Sequence, residues 1–177
     1  ALPILIGTKG GVGSSTTTQV LYNSSGLVVG SANMTFNGTT LTLANDASIS
    51  GLTVGKGGGS QSTNTVVGYQ AAYSNTTGTG ITAVGNQALK SSTGNNNTAL
   101  GDSSLFSNTS GATNTAIGKD VLFSVSTGSG NTSVGYSSGV NTTTGDLNTN
   151  IGYSAGNTIT TGSGNTMVGV LAQPSAG

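Results

Sequence analysis

From residue 65 onward an aliphatic residue followed by glycine recurs at a nearly fixed interval. The pairs are Val67-Gly68, Val84-Gly85, Leu100-Gly101, Ile117-Gly118, Val134-Gly135, Ile151-Gly152 and Val168-Gly169. Successive glycines lie 17, 16, 17, 17, 17 and 17 residues apart: seven copies of one unit, with a single deletion. A second set, Gly78, Gly94, Gly111, Gly128, Gly145 and Gly162, keeps step and places the missing residue between Gly85 and Gly94. A Thr stands three before the first glycine in every copy, and an Asn precedes that Thr in all but one, where Ile81 stands. Such a period is the signature of stacked repeats, in which each unit buries its side chains only against its neighbours.

The unit is too rich in Gly, Thr and Asn for a helix, and its apolar spacing does not follow a 3.6-residue turn. As a strand, Asn-Thr-x-aliphatic-Gly sends Thr and the aliphatic residue to one face and the middle residue to the other. Glycine then permits a corner at positive φ. A second short strand is expected at Ala71-Ala72, Ala88-Leu89, Ser104-Leu105, Val121-Leu122, Ser138-Gly139 and Ala155-Gly156, followed by a Thr-Gly or Ser-Gly corner. The fold class is therefore all-β: a β-solenoid of seven 17-residue coils over residues 60–177. At ~4.8 Å per rung, the stack is a rod of roughly 34 Å. The corners are Gly68, Gly85, Gly101, Gly118, Gly135, Gly152 and Gly169. The expected core is the aliphatic row, Val67, Val84, Leu100, Ile117, Val134, Ile151 and Val168. The recurring Asn either forms a ladder of side-chain amides or occupies a left-handed corner.

Residues 19–59 lack the period and read as a short-strand lead-in: Gln19–Tyr22, Leu27–Val29, Met34–Phe36 and Leu41–Leu43, with turns at Asn23–Gly26 and Asn37-Gly38. Ser50–Gly55 resembles a degenerate first unit, and Gly57–Gly59 a flexible joint. Residues 1–18 read as linker. The chain opens on Ala1 and closes on Gly177, and is expected to be part of a longer or processed product.

The chemistry available is narrow. Charged residues make up 5% of the chain, four Lys against four Asp, with no His and no Cys. Catalysis usually needs a titrating side chain close to substrate, and paired carboxylates are missing, so no enzyme is expected. A net charge of zero without a basic cluster argues against nucleic-acid binding. No apolar run approaches the ~18 residues of a bilayer span. No cofactor or metal is expected. Lys9–Thr16 superficially resembles a phosphate loop, but Ser14 stands where that loop needs lysine. Asp102, Asp120 and Asp146 occupy different places in their units and do not form a calcium set. Tyr136 and Tyr153 follow the corner glycine on adjacent coils, as Tyr69 does earlier; they are candidates for surface binding of a glycan, with ring packing the preferred reading.

The row opposite the aliphatic one carries Val66, Ala83, Ala99, Ala116, Ser133, Asn150 and Met167. Small residues there would let another chain approach, and the thin core favours self-association. A homotrimer about the rod axis is the simplest expectation.

Repeats such as Asn97-Thr98-Ala99-Leu100-Gly101 and Asn114-Thr115-Ala116-Ile117-Gly118, continuing to Thr127-Gly128, resemble those of bacteriophage tail fibres. The lead-in Gln19–Asn23 and Gly30–Thr39 shares that resemblance, which covers residues 19–170. A more distant similarity is to the heads of trimeric autotransporter adhesins. The resemblance implies a homotrimeric fibre segment in a virion tail, acting as spacer and host-surface attachment, with no catalytic residues. The alternative is a subunit of a self-assembling extracellular filament or bacterial surface adhesin, in which Pro3–Ile6 completes a neighbour's sheet.

Overall fold

The computed structural model describes residues 18–24, 27–36, 41–43, 47–49 and 52–174, with side chains over 52–174. The linker expected over residues 1–18, with its Pro3–Ile6 strand and the Lys9–Thr16 loop, lies outside the described residues apart from Thr18. So do the Asn37-Gly38 turn and residues 25–26. Every regular element among the described residues is a strand, and no helix is long and apolar enough to cross a membrane.

Two compact units divide at Asn45 and Asp46. The first is a three-stranded antiparallel sheet of β1 (Thr18–Ser24), β2 (Leu27–Phe36) and β3 (Leu41–Leu43). The two strands expected at Leu27–Val29 and Met34–Phe36 are one continuous strand. Gly30–Asn33 keep an extended backbone between them, and the register against β1 shifts between Gln19 and Leu21.

The second unit is the solenoid. β4 (Ala47–Ile49) and β5 (Leu52–Gly55) form an antiparallel hairpin, and β5 lies antiparallel on β6 (Thr65–Val67). From there β7 (Thr82–Val84), β8 (Thr98–Leu100), β9 (Thr115–Ile117), β10 (Thr132–Val134), β11 (Thr149–Ile151) and β12 (Thr166–Val168) stack parallel and in register. Thr meets Thr, middle residue meets middle residue, and aliphatic meets aliphatic at every step. The β-solenoid expected from the period is thus present, with one rung per copy of the repeat. The expected corner glycines all turn at positive φ, between 124° at Gly135 and 139° at Gly85 and Gly101.

Three expectations are corrected. The second strand of each coil does not form. Its residues run through turns in which two positions per coil adopt left-handed backbone, among them Gln87 (φ 57) and Leu89 (φ 50), or Asp120 (φ 55) and Leu122 (φ 49). Alternating left-handed residues cannot build a strand. Coil-to-coil hydrogen bonds continue regardless, as from Ala72 N–H to Ala88 O (2.9 Å) and Leu89 N–H to Ser104 O (3.0 Å).

Gly57–Gly59 is not a flexible joint. It packs on the first coil, with Gly58 N–H donating to Ala72 O at 3.1 Å. A Cβ on Gly57 would lie 2.9 Å from the Ala72 methyl, so only glycine allows this approach.

The third correction concerns the core. Val67, Val84, Leu100, Ile117, Val134, Ile151 and Val168 line the outside of the coil, with Leu100 46% and Val168 65% exposed. The row facing inward is the small one: Val66, Ala83, Ala99, Ala116, Ser133 and Asn150, all at most 1% exposed. Opposite it sit Ala72, Leu89, Leu105 and Leu122, also buried. The single-chain interior is too narrow for two large side chains facing each other, so in the second to fourth coils an alanine faces a leucine. Ala83, Ala99 and Ala116 leave room for Leu89, Leu105 and Leu122, whereas Asn150 fills the space beside Gly139 and Gly156. A Cβ on Gly156 would run into the Asn150 Oδ1 atom. Along the stack the interior turns from apolar to polar, with Ser133 and Asn150 in the place of the alanines and Gly139 and Gly156 in that of the leucines.

Candidate interaction surfaces

Two outward-facing columns, half-buried to exposed, run along the strand face. One is the Thr row, Thr65, Thr82, Thr98, Thr115, Thr132, Thr149 and Thr166; the other is the aliphatic row. Both follow directly from strand alternation once the middle residue is committed to the core. Neither column contains a charged residue. Seven aliphatic side chains in line, none fully buried, form a continuous apolar strip along the rod. Contiguous apolar surface of this kind marks interaction sites.

Beside the strip, the residue after each corner glycine forms a third column. In order it reads Tyr69, Asn86, Asp102, Lys119, Tyr136, Tyr153 and Val170. Stacking brings together residues whose sequence separation hides their relation. Asn86 Nδ2 donates to Asp102 Oδ1 at 2.9 Å, and Lys119 Nζ reaches Asp102 Oδ2 at 3.1 Å. The hydrogen bond from Asn86, then that from Lys119, hold the Asp102 carboxyl below its ordinary range. Donating that hydrogen bond to the Asp102 carboxylate holds the Lys119 ammonium above its own ordinary value. Both side chains are well exposed, at 53% for Lys119 and 40% for Asp102, so solvent screens the pair. The three aspartates do not gather: Asp102 is engaged by Asn86, Ser103 and Lys119, and Asp146 Oδ1 accepts from Ser129 N–H at 2.7 Å on another corner. Among the described residues no cluster of three acidic side chains forms.

Tyr136 and Tyr153 stack with ring centroids 5.4 Å apart and planes 12° from parallel. The ring packing preferred for this pair is thus present, and both side chains stay about half exposed, at 47% and 53%. Phe106 and Phe123 stack likewise on the next turn of the coil, at 4.9 Å and 3°, with Lys90 Nζ 5.2 Å from the Phe106 centroid.

The surfaces rest on a buried ladder. Asn114 Nδ2 donates to Gly128 O (2.8 Å), and its Oδ1 accepts from the backbone N–H of Asn131 (2.9 Å). Asn131 repeats both bonds toward Gly145 and Asn148, and Asn148 toward Gly162 and Asn165. Of the two readings open for this Asn, the amide ladder is the one observed; none of these residues has positive φ. The Asn86–Asp102–Lys119 chain is not evident from the repeat alone, although aligning the units on their corner glycines puts all three at one position.

No protein-family model, curated protein or solved structure matches the chain.

Proposed function

We propose that the chain is a structural fibre protein that self-associates laterally through its Thr and aliphatic columns. The assembly is a homotrimer, a segment of a phage tail fibre serving as spacer and host-surface attachment in a virion tail. The observation that carries this reading is the exposed aliphatic strip. In a lone solenoid seven rungs spend their largest strand side chains on solvent, at a cost that association removes. The small-residue row fills each chain's own interior, so the copies meet on the opposite, aliphatic face.

The strip favours three copies over two. Roughly 34 Å of rungs, two side chains wide, covers only a few hundred Å². A standard two-body interface takes about 800 Å² per partner. Three strips converging on one axis give each chain two neighbours, engaging the flanking columns as well. The near-absence of charge in these columns suits burial at such an axis. The resemblance of the repeat and the lead-in to tail-fibre repeats supports the phage setting. The thin supply of titrating groups supports a non-catalytic role.

Light scattering behind a sizing column tests the reading. The expected result is one species near 3 × 17.0 = 51 kDa. Material that grows steadily with concentration would instead favour a self-assembling extracellular filament or adhesin subunit, and a 17.0 kDa monomer would overturn both.

A further inference from the structure

We infer that Leu147 of one copy packs on the stacked Tyr136 and Tyr153 rings of its neighbour, a contact that fixes the height at which parallel copies lie side by side. The inference rests on the lateral assembly proposed above and names the residues that set its register.

The residue two places before each rung from β7 to β12 reads Gly80, Asn96, Thr113, Gly130, Leu147 and Gly164. All six have left-handed backbone, with φ between 56° at Leu147 and 71° at Gly164. Glycine takes this conformation freely and asparagine readily, whereas leucine is disfavoured in it. Leu147 does not serve the chain's own interior either: it is 70% exposed, against 46% for Leu100. A Cβ on Gly130 would lie 2.8 Å from Leu147 Cδ2, so the leucine leans back over the corner of the preceding coil. It therefore spans the heights of β10 and β11, on the flank beside the Thr column.

The opposite flank carries an apolar counterpart at the same heights. Tyr136 and Tyr153 lie two residues after β10 and β11, just as Gly130 and Leu147 lie two residues before them. A rotation axis along the rod brings the Thr-side flank of one copy against the aliphatic-side flank of the next with no change in height. Leu147 then meets the ring pair, and both bury apolar area that a lone chain leaves in water. At the height of β8 the same rotation sets Asp102 against the exposed Asn95 and Asn96, so polar meets polar. Sliding one copy by two rungs, roughly 10 Å, would set Leu147 against the Lys119 ammonium instead.

Paired thiols test this in a chain without native cysteine. With Leu147→Cys and Tyr153→Cys in one chain, a short thiol-to-thiol cross-linker should join three chains covalently. Either substitution alone should leave single chains on a denaturing gel. Leu147→Cys combined with Tyr69→Cys, five rungs apart or about 24 Å, should not cross-link. Leu147→Gly, which copies Gly130 and Gly164, should leave the fold intact and raise the midpoint concentration of assembly at least about tenfold. The inference is overturned if light scattering shows three chains and the pair at 147 and 153 does not cross-link. It is equally overturned if the pair at 147 and 69 cross-links as well, or if Leu147→Gly leaves the midpoint unchanged. A single chain by light scattering overturns the lateral reading and this contact with it, so the two failures read differently.

Discussion

At the scale of single residues the solenoid is governed by volume trades across a narrow interior. Asn150 and Gly156 form one such pair, and Ala116 and Leu122 another. Leucine is at home in the left-handed backbone of this position, since Leu122 adopts φ 49 where Gly156 has φ 64. Gly156→Leu should therefore fail for lack of space, not from backbone strain, at a cost of about 1–3 kcal/mol. Asn150→Ala, which removes a buried amide bonded to Ser133 Oγ at 3.1 Å, should cost a similar amount. The double variant rebuilds an Ala/Leu coil and should recover a coupling of about 1–3 kcal/mol in a urea-unfolding cycle. Additive losses would show that the two positions do not share one space. The corner glycines allow a second comparison. Gly118→Ala meets both positive φ (129°) and the Gly135 carbonyl, whereas Gly169→Ala meets positive φ (125°) alone. Thermal melts should show Gly169→Ala costing about 1–3 kcal/mol and Gly118→Ala clearly more.

At the scale of the element, each coil is held to the next by side chains as well as by its short rung. Asn131→Ala would strip partners from Gly145 O and from Asn148 N–H, both inside the stack. About 1–3 kcal/mol is expected for each buried group left unpaired, read from chemical denaturation. The Asp102–Lys119 bridge between coils is a weaker tie, and its pH dependence has a definite sign. Asp102 titrates below its ordinary 3.8, so its contribution is present above that pH and lost as pH falls through the depressed value. Lys119 titrates above its ordinary 10.5, so its contribution is present below that pH and lost as pH rises through the raised value. Between these limits Lys119→Met should lower the melting temperature slightly, and the difference should fade in molar salt. The period, the rungs and the corner glycines were legible because backbone stacking demands the same residue at the same place. The second strand was misread, because Ala-Leu and Val-Leu pairs carry strand-like composition while Leu89, Leu105 and Leu122 adopt left-handed backbone.

At the scale of the whole molecule, alternation left two opposite arrangements, and residue size decided between them. Large aliphatics suggest a core by hydrophobicity alone, which pointed to Val67, Ile117 and their row. The interior of one coil instead takes the alanines, because Leu89, Leu105 and Leu122 already fill the far wall. That inversion hands the aliphatic strip to the outside, where it supports the proposed self-association. The charge chain Asn86–Asp102–Lys119 was hidden for a different reason: it exists only once coils lie in register.

The most direct test uses the absence of native cysteine to place one thiol at a time on neighbouring residues of β9. Ala116→Cys should stay unreactive toward a thiol reagent until the protein is unfolded, and should form no interchain disulfide. Ile117→Cys should cross-link to a second chain under mild oxidation, as the proposed lateral assembly through its column requires. The reverse pattern, with cysteine at 116 cross-linking and cysteine at 117 shielded within a single chain, would contradict both the core and the interface assigned here.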